Sequence, residues 1–227
     1  MNNSKFNPAY TSARPDISVL VPEGTNSVLD VGCSTGDLGA SLKNMGLPRV
    51  CGVERDPEMG AQAAGVLDKV VVGDAGVLDL ATAFEGEKFD CLIFADVLEH
   101  IEDPWSVLER ARAILATGGC VVLSIPNIQH FSTWVRVFLL GYWPYRDRGI
   151  HDRTHLRFFT LRNVRELCAG AGFRIDRLSR QYRIIERPHR LNRVARFLVI
   201  PGLRGWLTFQ YLVVARPADS GHNPPRR

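Results

Sequence analysis

The stretch Ser27–Gly39, SVLDVGCSTGDLG, decides the fold expected for this chain. Three apolar residues surround Asp30, a turn of small residues runs from Gly32 to Gly36, and a helical pattern begins at Asp37. A buried strand, a tight turn and a helix open the nucleotide site of many α/β sheets. Because glycine lacks Cβ, the backbone can adopt positive φ and approach a ligand closely, while the first N–H groups of the helix face that ligand.

A second apolar run, VCGVE, ends in a carboxylate at Glu54, about 20 residues after the turn. A carboxylate at this position accepts hydrogen bonds from the two ribose hydroxyls of an adenosine. The alternative interpretation is that Glu54 is a solvated charge at the end of a strand.

Strand and helix patterns alternate five times before the rhythm changes near residue 128. Polar groups follow the strands, and Asp56-Pro57 and Asp103-Pro104 are typical helix starts. This pattern predicts a doubly wound parallel sheet with its site along the carboxyl edge. The later strands are expected at 69–72, 89–94, 120–125, 173–178 and 207–214.

The composition is that of an ordinary globular chain. It has 227 residues with 45% hydrophobic and 23% charged residues and a formal net charge of +4, so the whole molecule is not a polyanion binder. The five cysteines contain no CxxC spacing, which argues against zinc and redox sites and predicts buried thiols in a reducing compartment. Without a signal-peptide pattern or a bilayer-length apolar run, we expect a cytoplasmic protein.

The expected organisation is one α/β domain with added segments. Residues 1–26 would form a strap or short helix over the site, 27–216 the domain, and 217–227 a disordered tail. Within the domain, about 128–160 form an aromatic and basic insert that includes a helix at 130–140, and about 180–204 form a basic segment.

These segments together resemble the class I S-adenosylmethionine-dependent methyltransferases over about residues 27–127. The later part resembles the branch that includes ubiquinone-biosynthesis O-methyltransferases and sugar or polysaccharide-cluster methyltransferases. Ser34 departs from the pattern, since many members have a third glycine there, although serine is tolerated in related sequences. The segments that carry the resemblance are VLDVGCSTGDLG, GVERD, VVGDA, FDCLIFADVLEHIEDP, TGGCVVLSIPN and HDRTHLRFFTLRNVRELCAGAGF.

The resemblance implies a Rossmann-like methyltransferase fold, a mostly parallel seven-stranded sheet with an antiparallel final strand, and S-adenosyl-L-methionine as the cofactor. Glu54 would take the ribose, while Asp74 and the Ala75 N–H would contact the adenine and Arg55 would cover it or be solvated. Asp30 would order the turn or the cofactor ammonium, or be a strand-end carboxylate satisfied by backbone N–H groups. The amino-acid part of the cofactor would be surrounded by Asp30, Gly32, Cys33, Gly36, Ala95 and Asp96.

Two histidines are candidates for catalysis. His100 has an ordinary pKa of about 6.5, which suits it to accept a hydroxyl proton near neutrality. By resemblance to the quinone enzymes, Asp96, Glu99 and His100 could instead hold a divalent cation, although we expect no metal; Glu99 and His100 could also form a structural pair. His151 is the second candidate base.

His151, Asp152 and His155 lie in the insert, where they would form a lid over the acceptor or fasten this loop to the sheet. The nearby aromatic residues would stack on a sugar or aromatic ring, or form loop core. They are Tyr142, Trp143 and Tyr145.

Arginines crowd the segment 180–204 around Glu186, with apolar residues interleaved. This pattern is typical of a basic amphipathic helix that contacts an anionic membrane or a phosphate-bearing acceptor; a solvated or dimer-forming face is the alternative. Nucleic acid is disfavoured because no recognition module accompanies the arginines. The arginines are Arg180, Arg183, Arg187, Arg190, Arg193, Arg196 and Arg204.

We therefore expect a methyltransferase that modifies oxygen on a small molecule, a glycan or a lipid-linked acceptor. The rival hypotheses are a nicotinamide-dependent oxidoreductase on a similar sheet and a non-catalytic protein that binds the cofactor. The acceptor, the metal requirement, the identity of the base and the oligomeric state are not encoded in any motif that we recognise.

Overall fold

Alternating strands and helices build a seven-stranded sheet in this computed structural model, which describes residues 13–186, 189–190, 192–195, 200 and 204–218. The strands are β1 (Ser27–Val31), β2 (Arg49–Glu54), β3 (Lys69–Val72), β4 (Phe89–Ala95), β5 (Leu115–Pro126), β6 (Phe173–Tyr182) and β7 (Thr208–Pro217). The helices are α1 (Pro15–Ser18), α2 (Asp37–Asn44), α3 (Pro57–Ala64), α4 (Leu80–Ala83), α5 (Pro104–Ala111), α6 (Phe131–Trp134), α7 (Leu161–Gly170), α8 (Asn192–Ala195) and α9 (Arg204–Leu207). Short 3₁₀ turns cover Leu98–His100 and Arg112–Ile114, and a π-helix covers Val135–Leu139.

The strand order is β3-β2-β1-β4-β5-β7-β6. The first five strands pair in parallel, and β7 is antiparallel to both of its neighbours. The doubly wound fold with an antiparallel final strand is therefore confirmed. Because the winding reverses between β1 and β4, a crevice forms there at the carboxyl edge.

Side chains of each strand alternate between two apolar layers, one on each face of the sheet. Leu29 and Val31 of β1 join the layer under α5 and α7, and Val28 joins the layer under α2. Burial on both faces explains why the strands are nearly continuous apolar runs. All five cysteines are buried and none is in a disulfide.

Capping residues begin the helices around the crevice where the sequence predicts. The Asp56 carboxylate accepts hydrogen bonds from the N–H groups of Glu58 and Met59, and the Asp103 carboxylate accepts one from Ser106. Proline follows each aspartate at the first helical position, where its missing N–H costs nothing.

Two predicted helices differ from the structure. The expected helix at 130–140 divides into α6 and a π-helix that buries none of its residues. The long basic helix expected at 180–204 is not formed by the residues described there: Arg180 lies in β6, whose pairing with β7 continues to Tyr182, and short helices α8 and α9 follow. Edge pairing satisfies the backbone groups that a helix would otherwise have satisfied.

Parts of the other predicted segments lie outside the described residues, namely 1–12 of the strap, Arg187 and Arg196 of the basic segment, and 219–227 of the tail. The described end of the strap forms α1, whose Ile17 is buried against the α2 side of the sheet. The helices in the described part of the chain are all too short or too polar to cross a lipid bilayer.

Candidate active site

A pocket of about 970 Å³ opens at the carboxyl edge of the sheet, where the strand order reverses. Nine of the ten predicted cofactor residues line this pocket: Asp30, Gly32, Cys33, Glu54, Arg55, Asp74, Ala75, Ala95 and Asp96. The tenth, Gly36, lies behind the turn at the start of α2, where its φ of 87° requires glycine and its Cα hydrogens face Ala63. The topology therefore gathers residues from four strand ends into one crevice.

The glycine turn is held by the backbone of β2. The N–H groups of Gly32 and Cys33 both donate to the carbonyl oxygen of Val53, at 2.8 and 3.0 Å. Gly32 has a φ of 79°, and a Cβ at this position would overlap the side chain of Val97. A side chain at position 32 would therefore meet both backbone strain and a steric clash.

Glu54 is tied to the same turn. One oxygen of its carboxylate accepts the Ser34 N–H at 2.8 Å, and the other accepts the Asp56 N–H at 2.9 Å. Ser34 itself adopts a φ of 53°, which explains why glycine suits this position in related sequences. Each carboxylate oxygen can accept a second hydrogen bond, so Glu54 keeps acceptor capacity at the pocket wall.

Asp30 lies at the base of the pocket with only 2% of its surface exposed. Burial raises its pKa to about 7; the Arg14 guanidinium opposes this rise and the Glu54 carboxylate adds to it. A cation bound beside Asp30 would stabilise the ionised carboxylate.

Arg14 is a pocket residue that the sequence analysis did not single out. Its guanidinium is ion-paired with Asp96 and with Asp16, and its own φ is 42°. The residue before a proline normally adopts an extended conformation, so this strained backbone is imposed by tertiary contacts. Arg14 lies 18 residues before Gly32, and no local pattern marks it.

The Asp96 carboxylate is already engaged on several sides. It accepts hydrogen bonds from Arg14 and Gln210, and from the Ser124 hydroxyl at 3.2 Å. Its φ of 58° turns the chain out of β4 toward the 3₁₀ turn at Leu98–His100. Asp96 therefore acts in this structure as the anion that holds Arg14 at the pocket.

His100 lines the pocket and is oriented by the insert. Its Nδ1 lies 3.0 Å from the Thr154 hydroxyl and 3.3 Å from the Thr154 carbonyl oxygen. A carbonyl oxygen only accepts, so Nδ1 carries the proton and Nε2 keeps its lone pair. The Thr154 hydroxyl in turn donates to Asp152 at 2.7 Å.

The protonation state of His100 suits a proton acceptor. Burial lowers its pKa below the ordinary value, against the opposing effect of Asp152. The imidazole is therefore neutral at physiological pH, as a general base requires.

Glu99 and His155 lie behind His100. The ligand atoms of Glu99, His100 and His155 are within 4.8 Å of one another, and no group in the described part of the chain hydrogen-bonds Glu99 Oε2. Burial raises the pKa of Glu99 and lowers that of His155 to about 4. Two neutral imidazoles and a carboxyl group are a donor set that a divalent transition metal accepts. Of the ligands considered from the sequence, Glu99 and His100 belong to this group, whereas Asp96 is held by Arg14.

His151 lies outside the pocket. Its side chain is completely buried, with Nε2 3.1 Å from the Thr133 hydroxyl and Nδ1 3.3 Å from Arg136. Trp143 packs on its ring at 5.1 Å. These contacts favour the interpretation in which His151 fastens the insert to the domain, and they place His100 nearer the cofactor residues.

Comparison with known proteins gives the family. A model of the methyltransferase domain family matches residues 9–178, about three quarters of the chain. The chain belongs to this methyltransferase family. The expected resemblance to class I methyltransferases is thereby confirmed, and the rival oxidoreductase hypothesis loses its support.

Relatives and solved structures agree with this membership. Two ubiquinone biosynthesis O-methyltransferases are similar: that of Histophilus somni is 31% identical over 55% of this chain and 56% of its own length. That of Psychrobacter arcticus is 28% identical over 72% of this chain and 65% of its own length, so the chain spans less than two thirds of either relative. A SAM-dependent methyltransferase from Archaeoglobus fulgidus has the same fold, with a TM-score of 0.61, 18% identity and coverage of 89% of this chain and 91% of that one.

Proposed function

We propose that this methyltransferase transfers a methyl group from S-adenosylmethionine to a hydroxyl oxygen of a small molecule, a glycan or a lipid-linked acceptor. The observation that carries the proposal is the hydrogen bond from the Ser34 N–H of the glycine turn to the Glu54 carboxylate. It lies beside the crevice where the strand order reverses between β1 and β4. The similar O-methyltransferases support transfer to oxygen. A cytoplasmic location is part of the same proposal.

Each pocket residue is matched with the part of S-adenosylmethionine that has the complementary charge or hydrogen-bonding group. The Asp30 carboxylate would hold the ammonium and sulfonium of S-adenosylmethionine, and the Arg14 guanidinium would hold its carboxylate. Glu54 would accept hydrogen bonds from the ribose hydroxyls. The Asp74 carboxylate, which also accepts the Gly76 N–H at 2.8 Å, and the Ala75 N–H would hydrogen-bond the adenine.

Bound S-adenosylmethionine supplies an electrophilic methyl group. The chain has to align the acceptor oxygen with that methyl group, exclude water and remove one proton. His100 Nε2 accepts the proton of the acceptor hydroxyl as the oxygen–carbon bond forms and the carbon–sulfur bond breaks. Thr154 and Asp152 keep the opposite ring nitrogen protonated during this step.

Peripheral membrane contact through the basic segment 180–204 also remains a proposal. Its described arginines divide into two groups. Arg180 lies in β6 and the Arg183 guanidinium lies 4.2 Å from the ring centre of Phe209, whereas Arg190 and Arg204 are exposed. The exposed pair supports contact with an anionic surface.

Replacing Glu54 with glutamine should weaken S-adenosylmethionine binding by about tenfold or more, because an amide presents only one acceptor to the two ribose hydroxyls. Isothermal titration calorimetry measures the dissociation constant, and exposed Glu58→Gln on α3 is the matched control. Wild-type protein that binds NAD but not S-adenosylmethionine would refute the proposed function.

Cofactor affinity should rise with pH between 6 and 8. Asp30 has a pKa of about 7 in the free protein, and the bound cation favours its ionised form. Binding therefore releases a proton below that pKa, and the dissociation constant should be about tenfold higher at pH 6 than at pH 8.

Asp30→Asn is the control for this pH dependence. Titration of the cofactor amino group is common to both proteins, so it cancels in the comparison. An equally steep profile in Asp30→Asn would assign the linkage to another group.

The acceptor itself requires a separate experiment. Incubation of the protein with isotopically labelled S-adenosylmethionine and fractionated lysate, followed by mass spectrometry, identifies the labelled product and the methylated atom. A label on nitrogen or carbon rather than oxygen would overturn the proposed O-methylation while leaving the cofactor assignment intact.

A further inference from the structure

Six exposed apolar side chains lie in two segments, residues 134–142 of the insert and helix α9. Phe138, Leu139, Leu140 and Tyr142 are 72, 62, 68 and 60% exposed. Trp134 and Trp206 are 40 and 43% exposed and complete what we call the aromatic surface. An apolar patch of this kind on a folded protein is typical of an interaction site.

Ring packing joins three of the six residues across the two segments. The Trp134 ring lies 6.4 Å from that of Phe138 and 5.7 Å from that of Trp206 on α9. The π-helix Val135–Leu139 exposes Phe138 and Leu139, while Val135 and Val137 are half-buried. The sequence thus maintains large apolar side chains where the domain does not use them for its own core.

A buried ionic cluster fastens this surface to the domain. Glu186 is ion-paired with Arg136 of the π-helix and, at 3.1 Å, with Arg146 of the insert. His151 Nδ1 lies 3.6 Å from the same carboxylate. The π-helix and the insert are therefore tied to Glu186 in the segment that follows β6, which holds the aromatic surface in place.

Exposed arginines flank the aromatic surface in the chain, since Arg146 and Arg148 follow Tyr142 and Arg204 precedes Trp206. Residues 131–149 and 183–204 contain nine arginines and two acidic residues, in a chain whose net charge is only +4. The rest of the chain is therefore net negative. Two copies that met through this face would bring their arginines together, which disfavours self-association and favours an anionic partner.

We propose that the aromatic surface docks this methyltransferase on an anionic lipid bilayer. Phe138, Leu139 and Leu140 are the most exposed of the six side chains and enter the acyl boundary. The tryptophan and tyrosine rings lie at headgroup level, and the exposed arginines contact lipid phosphates.

Docking in this way orients the pocket. Asp147, Asp152, Arg153, Thr154 and Leu156 line the pocket and follow the aromatic surface directly in the chain. The acceptor end of the site then lies beside the bilayer. This link to a lipid-linked acceptor rests on the proposed function, whereas docking through the aromatic surface requires neither cofactor binding nor methyl transfer.

Co-sedimentation with vesicles tests the docking. Full-length protein should bind vesicles of phosphatidylcholine with about 30% phosphatidylglycerol at least about tenfold more tightly than pure phosphatidylcholine, and about 0.5 M salt should weaken binding. Phe138→Ser/Leu139→Ser should reduce binding by about tenfold or more. Met45→Ser/Val77→Ser, which alters two exposed apolar residues elsewhere, is the matched control.

Separate experiments test the contribution of the arginines and the insertion of the tryptophan rings into the bilayer. Arg148→Glu should weaken vesicle binding several-fold, whereas Arg162→Glu, at an exposed position of α7, should not. Brominated lipids should quench tryptophan fluorescence, and Trp134→Phe should reduce the quenching. Calorimetry with S-adenosylmethionine should give the wild-type affinity for all of these variants, which separates failure of docking from failure of the proposed function.

Three results would overturn the proposal. They are absence of binding to anionic vesicles, binding that Phe138→Ser/Leu139→Ser leaves unchanged, and a dimer in analytical ultracentrifugation that the same double substitution dissociates. The last result would assign the aromatic surface to self-association.

Discussion

Gly32→Ala should weaken S-adenosylmethionine binding by about 100-fold or more. The φ of 79° at this position is strained for any residue with a Cβ, and the added methyl group overlaps Val97. The turn has to move, and its movement displaces the backbone that approaches the ligand and the Ser34 N–H that holds Glu54. Calorimetry measures the affinity, and chemical denaturation measures the free energy of unfolding.

Gly86→Ala is the matched control for this substitution. Gly86 has a φ of 78° and open space where an alanine methyl group would lie, and it occupies the turn between α4 and β4. The variant should lose about 1 kcal/mol of stability and keep its cofactor affinity. Adding Val97→Ala to Gly32→Ala should recover part of the binding by removing the overlap. Wild-type affinity in the folded Gly32→Ala protein would show that the turn does not contact the cofactor.

His100→Ala should lower methyl transfer by about 10²–10⁴-fold and leave cofactor affinity within a few-fold of wild type. The rate of the wild-type enzyme should fall only as the pH drops below the ordinary histidine pKa, because burial lowers the pKa of His100 and its neutral form is the base. Transfer of a labelled methyl group to the identified acceptor, measured from about pH 5 to 8, gives the loss of rate in His100→Ala and the pH profile of the wild-type rate.

Substitutions at Thr154 and His155 distinguish the roles open to His100. If the Thr154 hydroxyl fixes the tautomer, Thr154→Val should lower the rate and Thr154→Ser should restore most of it. Transfer that is lost on chelation, recovered with a divalent cation and absent in His155→Gln would make His100 a metal ligand instead of the base. Unchanged turnover in His100→Ala would exclude His100 as the base.

The strand ends were the most predictable part of the site. The central strands are buried on both faces, so a polar group that follows an apolar run marks the sheet edge without any knowledge of packing. Glu54, Asp74 and Asp96 follow their strands in this way, Asp30 lies among the apolar residues of β1, and all four line the pocket. The helix starts at Asp56 and Asp103 were equally predictable, because a capping side chain binds a backbone N–H group only two or three residues further along the chain.

Long-range contacts explain what the sequence analysis missed. Arg14 reaches the pocket through an ion pair with Asp96, 82 residues away, and its own dipeptide with Pro15 favours a different backbone conformation. His100 and His151 were both candidates as the base, since each is a histidine beside an acid. Tertiary packing separated them: it places His100 at the pocket and buries His151 against Thr133 and Arg136.

The succession of strands and helices, the glycine turn and the polar groups at the strand ends follow from local chemistry: apolar periodicity, glycine without a Cβ and carboxylates after strands act over a few residues each. The partners of Arg14 and His100 and the aromatic surface assembled from residues 134–142 and Trp206 required the folded chain. Such contacts join residues tens of positions apart, and a side chain carries no local signal of which distant group it will meet.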